Sequence, residues 1–247
     1  MHTEVLILSC EHASGSVPAR YRSCFASANA QRALRSHRGL DIGALGVARA
    51  LRRAFRCPLF HASVTRLLVD TNRSPRHARL HSEFSRALPA PERAALLRSY
   101  YYPYRLGLRK AVAAAVRSGR RVVHVSVHSF TPRLAGQVRT ADVGLLYDPA
   151  RAPEARLAAR WREQLERAAP ALRVRRNYPY RGVSDGLCTW LRTEFSARSY
   201  LGIELEMNQR FFLDHERAEP TALASALTAT LPIQPKRAAR RSSFLSP

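Results

Sequence analysis

Two histidines in this chain stand where an apolar run turns polar. His12 follows the run in VLILSCEHASG, residues 5–15, and His128 lies near the end of the alternating stretch VVHVSVHSF, residues 122–130. Neutral imidazole is a common zinc ligand, and two histidines with one carboxylate leave a coordination position open for chemistry. Two carboxylates compete for third place. Asp41, in HRGLDIGALGVARAL, precedes a helical pattern and is preferred; its competing reading is a helix N-cap. Glu11 is the alternative, disfavoured because strand alternation turns its side chain away from that of His12. The expectation is one divalent ion per chain, zinc first, although such donors also accept iron, cobalt or manganese.

Other residues suit proton transfer and anion recognition. In YLGIELEMN, residues 200–208, alternation places Glu204 and Glu206 on one face. Glu206, nearer the strand end, is the candidate general base on a metal-activated water. Glu204 reads as structural, paired with an arginine. In TRLLVDTNR, residues 65–73, Arg66 and Arg73 offer guanidinium forks that bind carboxylates, and Asn72 adds an amide. The competing reading of each arginine is an ordinary surface residue. His124, in mid-strand, reads as a core histidine. GVSDG, residues 182–186, fits a serine-hydrolase elbow around Ser184, yet it follows the polar RRNYPYR instead of a buried strand. Cys10 ends a strand and reads as packing.

These groups need a scaffold. Short apolar runs at Val5–Cys10, Leu59–Ser63, Leu67–Asp70, Val122–Val127, Val143–Tyr147 and Tyr200–Glu206 read as strands. Amphipathic patterns at Ile42–Phe55, Pro91–Arg117, Glu154–Ala168, Leu187–Ser196 and Thr221–Leu231 read as helices between them. Strands alternating with helices argue for an α/β fold: a mostly parallel mixed sheet covered on both faces, three layers deep. Ligands of such sheets bind beyond the carboxyl ends of the strands, where four of these runs end in polar residues. No linker or repeat interrupts the pattern, so one catalytic domain is expected over residues 1–232, with a loose basic tail over 233–247.

The net charge of +23 raises a second class, a basic nucleic-acid-binding protein without turnover. Its arginines are spread along helices rather than gathered in a stripe, so no specific nucleic-acid partner is expected, only salt-sensitive binding to polyanions. Cys10, Cys24, Cys57 and Cys188 show no metal-knuckle spacing. No apolar run is long enough for a membrane span and the first residues lack a basic leader, so a cytoplasmic protein is expected. Oligomeric state is not legible.

Eight short motifs, in order, resemble the N-formylglutamate amidohydrolase family: SCEHASGSVP, GLDIGALGVARAL, TRLLVDTNRS, YYPYR, SVHSFTP, VGLLYD, NYPYRG and GIELEMNQ. The resemblance implies an α/β/α fold related to zinc carboxypeptidases and aspartoacylases, a catalytic zinc, and hydrolysis of an N-formyl or other N-acyl amino acid. It carries zinc ligation to His12 and His128, and catalysis to Glu206. Asn72 and Arg73 take the grip on the substrate α-carboxylate, and Arg66 the polarisation of the scissile carbonyl. The His-x-x-Glu pair of the carboxypeptidases is absent, because Gly15 stands three residues after His12. The acyl group and the amino acid stay open.

Overall fold

The computed structural model describes residues 3–213 and 220–233. The strands are β1 (Glu4–Cys10), β2 (Leu59–His61), β3 (Arg121–Phe130), β4 (Arg133–Leu134), β5 (Gln137–Val138), β6 (Val143–Leu146), β7 (Val174–Arg176) and β8 (Tyr200–Asn208). The helices are α1 (Ala28–Leu34), α2 (Ala44–Phe55), α3 (Ala90–Leu96), α4 (Tyr102–Arg117), α5 (Ala152–Ala168), α6 (Leu187–Glu194), α7 (Arg210–Leu213) and α8 (Pro220–Thr230). A π-helical turn at Leu97–Tyr101 joins α3 to α4, so the long pattern expected there is one helical run with a bulge.

The main sheet has the order β2-β1-β3-β8-β6-β7. The first four strands are mutually parallel, and β6 runs antiparallel to β8. Nearly every residue of β3 and β8 is buried, as central strands covered on both faces require. On one face Leu6, Leu8, Val123, Val125, Val127, Ile203 and Leu205 pack with α2, α5 and α8 around the fully buried Trp161. On the other, Val5, Ile7, Val122 and Tyr200 pack with α4 and α6. The mixed α/β architecture is therefore as the alternation of patterns implied. Helix α2 shows why: Val47, Ala48, Leu51 and Phe55 are buried, while Arg49, Arg52 and Arg53 face solvent.

One expected strand is not a strand. Leu67 and Leu68 lie in a turn and Val69–Asp70 are irregular, and Leu67, Leu68 and Val69 are buried in a separate cluster with Tyr21, Phe25, Leu96 and Tyr101. A run of three apolar residues serves either purpose, and pattern alone does not separate them. Strand β7 and the β4–β5 hairpin carry too few apolar residues to have been legible. Of the expected tail, Ile233 is buried against the core, and residues 234–247 lie outside the described residues. No helix among the described residues is long and apolar enough to cross a membrane.

Candidate active site

Alternation along three neighbouring strands builds one polar surface. On β1, β3 and β8 the even-spaced aliphatic residues face α2 and α5, which leaves Ser9, His124, Ser126, His128, Glu204 and Glu206 on the opposite side. The parallel register pairs Ser9 with Ser126, Ser126 with Glu204, and His128 with Glu206. Near the amino ends this surface is closed by a satisfied network: His124 Nδ1 meets the Tyr200 hydroxyl at 2.7 Å and His124 Nε2 meets Ser9 Oγ at 2.8 Å. Burial pushes the His124 imidazole down to about 4, so it stays neutral in the core. Near the carboxyl ends the same surface opens into a cavity of about 640 Å³, lined among others by His12, Asp41, Arg66, Asn72, Arg73, His128, Glu204 and Glu206.

Asp41 is the hub. Its Oδ2 lies 3.2 Å from His12 Nδ1 and 2.8 Å from His128 Nδ1. Donor atoms of these three buried residues all fall within 4.8 Å of one another. Asp41 is not the N-cap of α2; Gly43 holds that position. A backbone bond from Asp41 N to His12 O, 2.9 Å, ties the two loops together.

The far nitrogen of each imidazole also meets a carboxylate: His12 Nε2 is 2.8 Å from Asp70 Oδ1, and His128 Nε2 is 2.9 Å from Glu11 Oε2. An imidazole that donates from Nε2 to a carboxylate presents the Nδ1 lone pair to a cation. Glu11 thus points away from the shared Nδ1 side, and it also accepts from Ser126 Oγ and from the Tyr104 hydroxyl at 2.7 Å. The donor set suits a divalent cation on His12, Asp41 and His128, with Glu11 and Asp70 behind the rings.

Charge supports the same fit. Glu11, Asp41 and Asp70 are all buried around two imidazoles and Arg66, a concentration of negative charge that a divalent ion would offset. Burial works against ionised Glu11, Asp41 and Asp70, yet contact with the imidazoles holds each well below the usual carboxylate range, aided at Asp70 by Arg66. Burial also opposes charge on His128, but hydrogen bonds to Asp41 and Glu11 outweigh it and raise its pKa well above the ordinary value. Glu206 differs: burial pushes its carboxyl up to about 8, and Oε2 has no hydrogen-bond partner among the described residues. A raised, unpartnered carboxyl beside a cation site has the character of a proton shuttle.

The candidate anion-binding residues are held from behind. Arg66 donates to Asp41 Oδ1 at 3.4 Å and to Asp70 Oδ2 at 3.2 Å. Asn72 Oδ1 accepts from Leu187 N at 2.7 Å, which leaves the Asn72 amide nitrogen to donate elsewhere. Arg73 donates to Asp185 O at 2.8 Å. Residues of YYPYR pin this segment: Tyr101 OH donates to Arg73 O at 2.6 Å, and the buried Arg105 donates to Thr71 O and Arg73 O at 3.0 and 3.2 Å. Arg105 stacks on Trp190, 4.5 Å from the ring centroid.

The sequence places Asp70 at the polar end of its run and Ser126 on the face of His128 without giving either a role; Tyr104 and Arg105 show no signal beyond their motif. Ser184 is exposed in a loop with no strand leading into it, although it borders the cavity. Cys10 is fully buried and burial lifts its thiol well above the usual range, which suits packing. Glu204 carries no ion pair with arginine among the described residues; it lines the cavity instead.

The profile of the N-formylglutamate amidohydrolase family matches residues 5–213. A gene product of Agrobacterium tumefaciens of known crystal structure is 31% identical, with a TM-score of 0.78, covering 93% of this chain and 90% of that one. An N-formylglutamate amidohydrolase from Ralstonia eutropha shares the fold at 20% identity, with a TM-score of 0.71, covering 94% of this chain and 93% of its own. No curated protein matches the chain. The extent of the profile match decides the assignment: the chain belongs to the N-formylglutamate amidohydrolase family.

Proposed function

We propose that this chain is a metal-dependent amidohydrolase that cleaves the amide of an N-formyl, or closely related N-acyl, amino acid. The observation that carries the reading is the convergence of His12, Asp41 and His128 with Glu206, Arg66, Asn72 and Arg73 on one cavity. A divalent cation, zinc by its donors, would supply Lewis acidity toward a water and the scissile carbonyl.

The chain's own residues do the rest. Asn72 and Arg73 bind the substrate α-carboxylate, the guanidinium fork fixing its orientation. Arg66, held by Asp41 and Asp70, donates to the oxyanion that develops on the carbonyl oxygen. Glu206 takes a proton from the attacking water and passes it to the leaving nitrogen. The products of an N-formyl substrate are formate and a free amino acid. Arginines elsewhere are mostly solvated on helix faces, as Arg49, Arg52, Arg156 and Arg160 are, which favours small-molecule hydrolysis over nucleic-acid binding.

Formate release from a panel of N-formyl and N-acetyl amino acids, with and without chelator, tests the proposal. Glu206→Gln is expected to retain bound metal while turnover falls by about 10²–10⁴. A near-normal rate in that variant, or indifference to chelator, contradicts it.

A further inference from the structure

Glu204 has a carboxylate in the cavity and nothing to do there. It sits on the same face of β8 as Glu206, and among the described residues its side chain makes no hydrogen bond or ion pair. Burial raises its pKa, so a charge on this carboxylate is poorly solvated. Such a group gains most from a ligand that brings hydrogen-bond donors or positive charge.

Its position says which part of a ligand that is. A Cβ placed on Gly186 would lie 3.3 Å from Asn72 Oδ1 and 3.7 Å from Glu204 Oε1, so the Asn72 amide and the Glu204 carboxylate flank one corner. Gly186 brings no side chain to that corner. If Asn72 and Arg73 hold the α-carboxylate, the amino-acid side chain leaves from the adjoining carbon and enters the same corner.

Resting on the amidohydrolase reading, we propose that Glu204 selects the substrate's side chain, favouring amide or cationic groups and disfavouring a carboxylate. Arg79, Arg86 and Arg181 also border the cavity, but from exposed positions. Solvated there, they draw anions of every kind toward the opening without distinguishing one side chain from another.

The test is kcat/KM for N-formyl-L-glutamine, N-formyl-L-lysine and N-formyl-L-glutamate, each divided by that for N-formylglycine so that a general loss cancels. Wild type is expected to favour glutamine and lysine over glutamate by at least about tenfold, and Glu204→Gln to shrink that preference about tenfold. Binding of free lysine, glutamine and glutamate by calorimetry is expected to follow the same order and the same change. A wild-type preference for glutamate, or ratios that Glu204→Gln leaves unaltered, overturns the proposal. Failure to turn over any N-formyl substrate counts against the amidohydrolase reading; the calorimetric ratios then decide the role of Glu204 on their own.

Discussion

Replacing Glu11 with Gln separates a ligand from a group that stands behind one. Glu11 Oε2 lies 2.9 Å from His128 Nε2, while the candidate ligand atom of that ring is Nδ1, 2.8 Å from Asp41 Oδ2. Gln keeps the shape and can still accept one hydrogen bond, but it removes the negative charge that raises the basicity of the imidazole. Losing such an outer partner costs about 10–100-fold in metal affinity, or about 1.4–2.7 kcal/mol. Stoichiometry should be unchanged, because His12, Asp41 and His128 are all intact. The assay is titration of metal-free protein with zinc against a competing chromophoric chelator, for wild type, Glu11→Gln and Asp41→Ala. Glu11→Gln should bind one ion more weakly; Asp41→Ala should bind none in the same range. An affinity within twofold of wild type, or a complete loss matching Asp41→Ala, would refute this division of roles.

Two further outcomes follow from the same geometry. Arg73→Lys should raise KM far more than it lowers kcat, with kcat/KM down by about 10²-fold, because an ammonium cannot reproduce the two-point grip on a carboxylate; steady-state kinetics on the best N-formyl substrate checks it. Metal-free wild type should lose stability relative to Glu206→Gln as pH rises from about 4.5 to 8. Burial raises the folded Glu206 carboxyl to about 8, against an ordinary 4.5, so the folded state holds the proton more tightly. That contribution is complete below the unfolded value and is lost as pH climbs through the folded one. The span corresponds to at most about 5 kcal/mol, read by urea unfolding at pH 5 and pH 8; a wild-type stability relative to Glu206→Gln that is the same or greater at pH 8 contradicts it.

The strand pairing explains how much of this was legible. Two-residue alternation on β3 and β8 is a local property of the chain, so the shared face of His124, Ser126 and His128, and that of Glu204 and Glu206, could be read directly. What lies behind the site could not. Asp70 reaches His12 across 58 residues, and Tyr104 reaches Glu11 across 93; such contacts depend on how the segment between β2 and α3 folds. That segment misled at Leu67–Asp70, where three apolar residues look like a strand and instead anchor a separate core under the loop. The arginine expected beside Glu204 is engaged elsewhere: Arg192, which donates to Gly202 O at 3.0 Å, is taken by Glu154 at 3.1 Å.

Anomalous diffraction at the zinc edge, on crystals of catalytically active protein, bears most directly on the proposed metal centre. A single strong peak is expected about 2.0–2.2 Å from His12 Nδ1, His128 Nδ1 and an Asp41 carboxylate oxygen. Active crystals with no metal peak among these three side chains, at this edge or those of iron, cobalt and manganese, would contradict it.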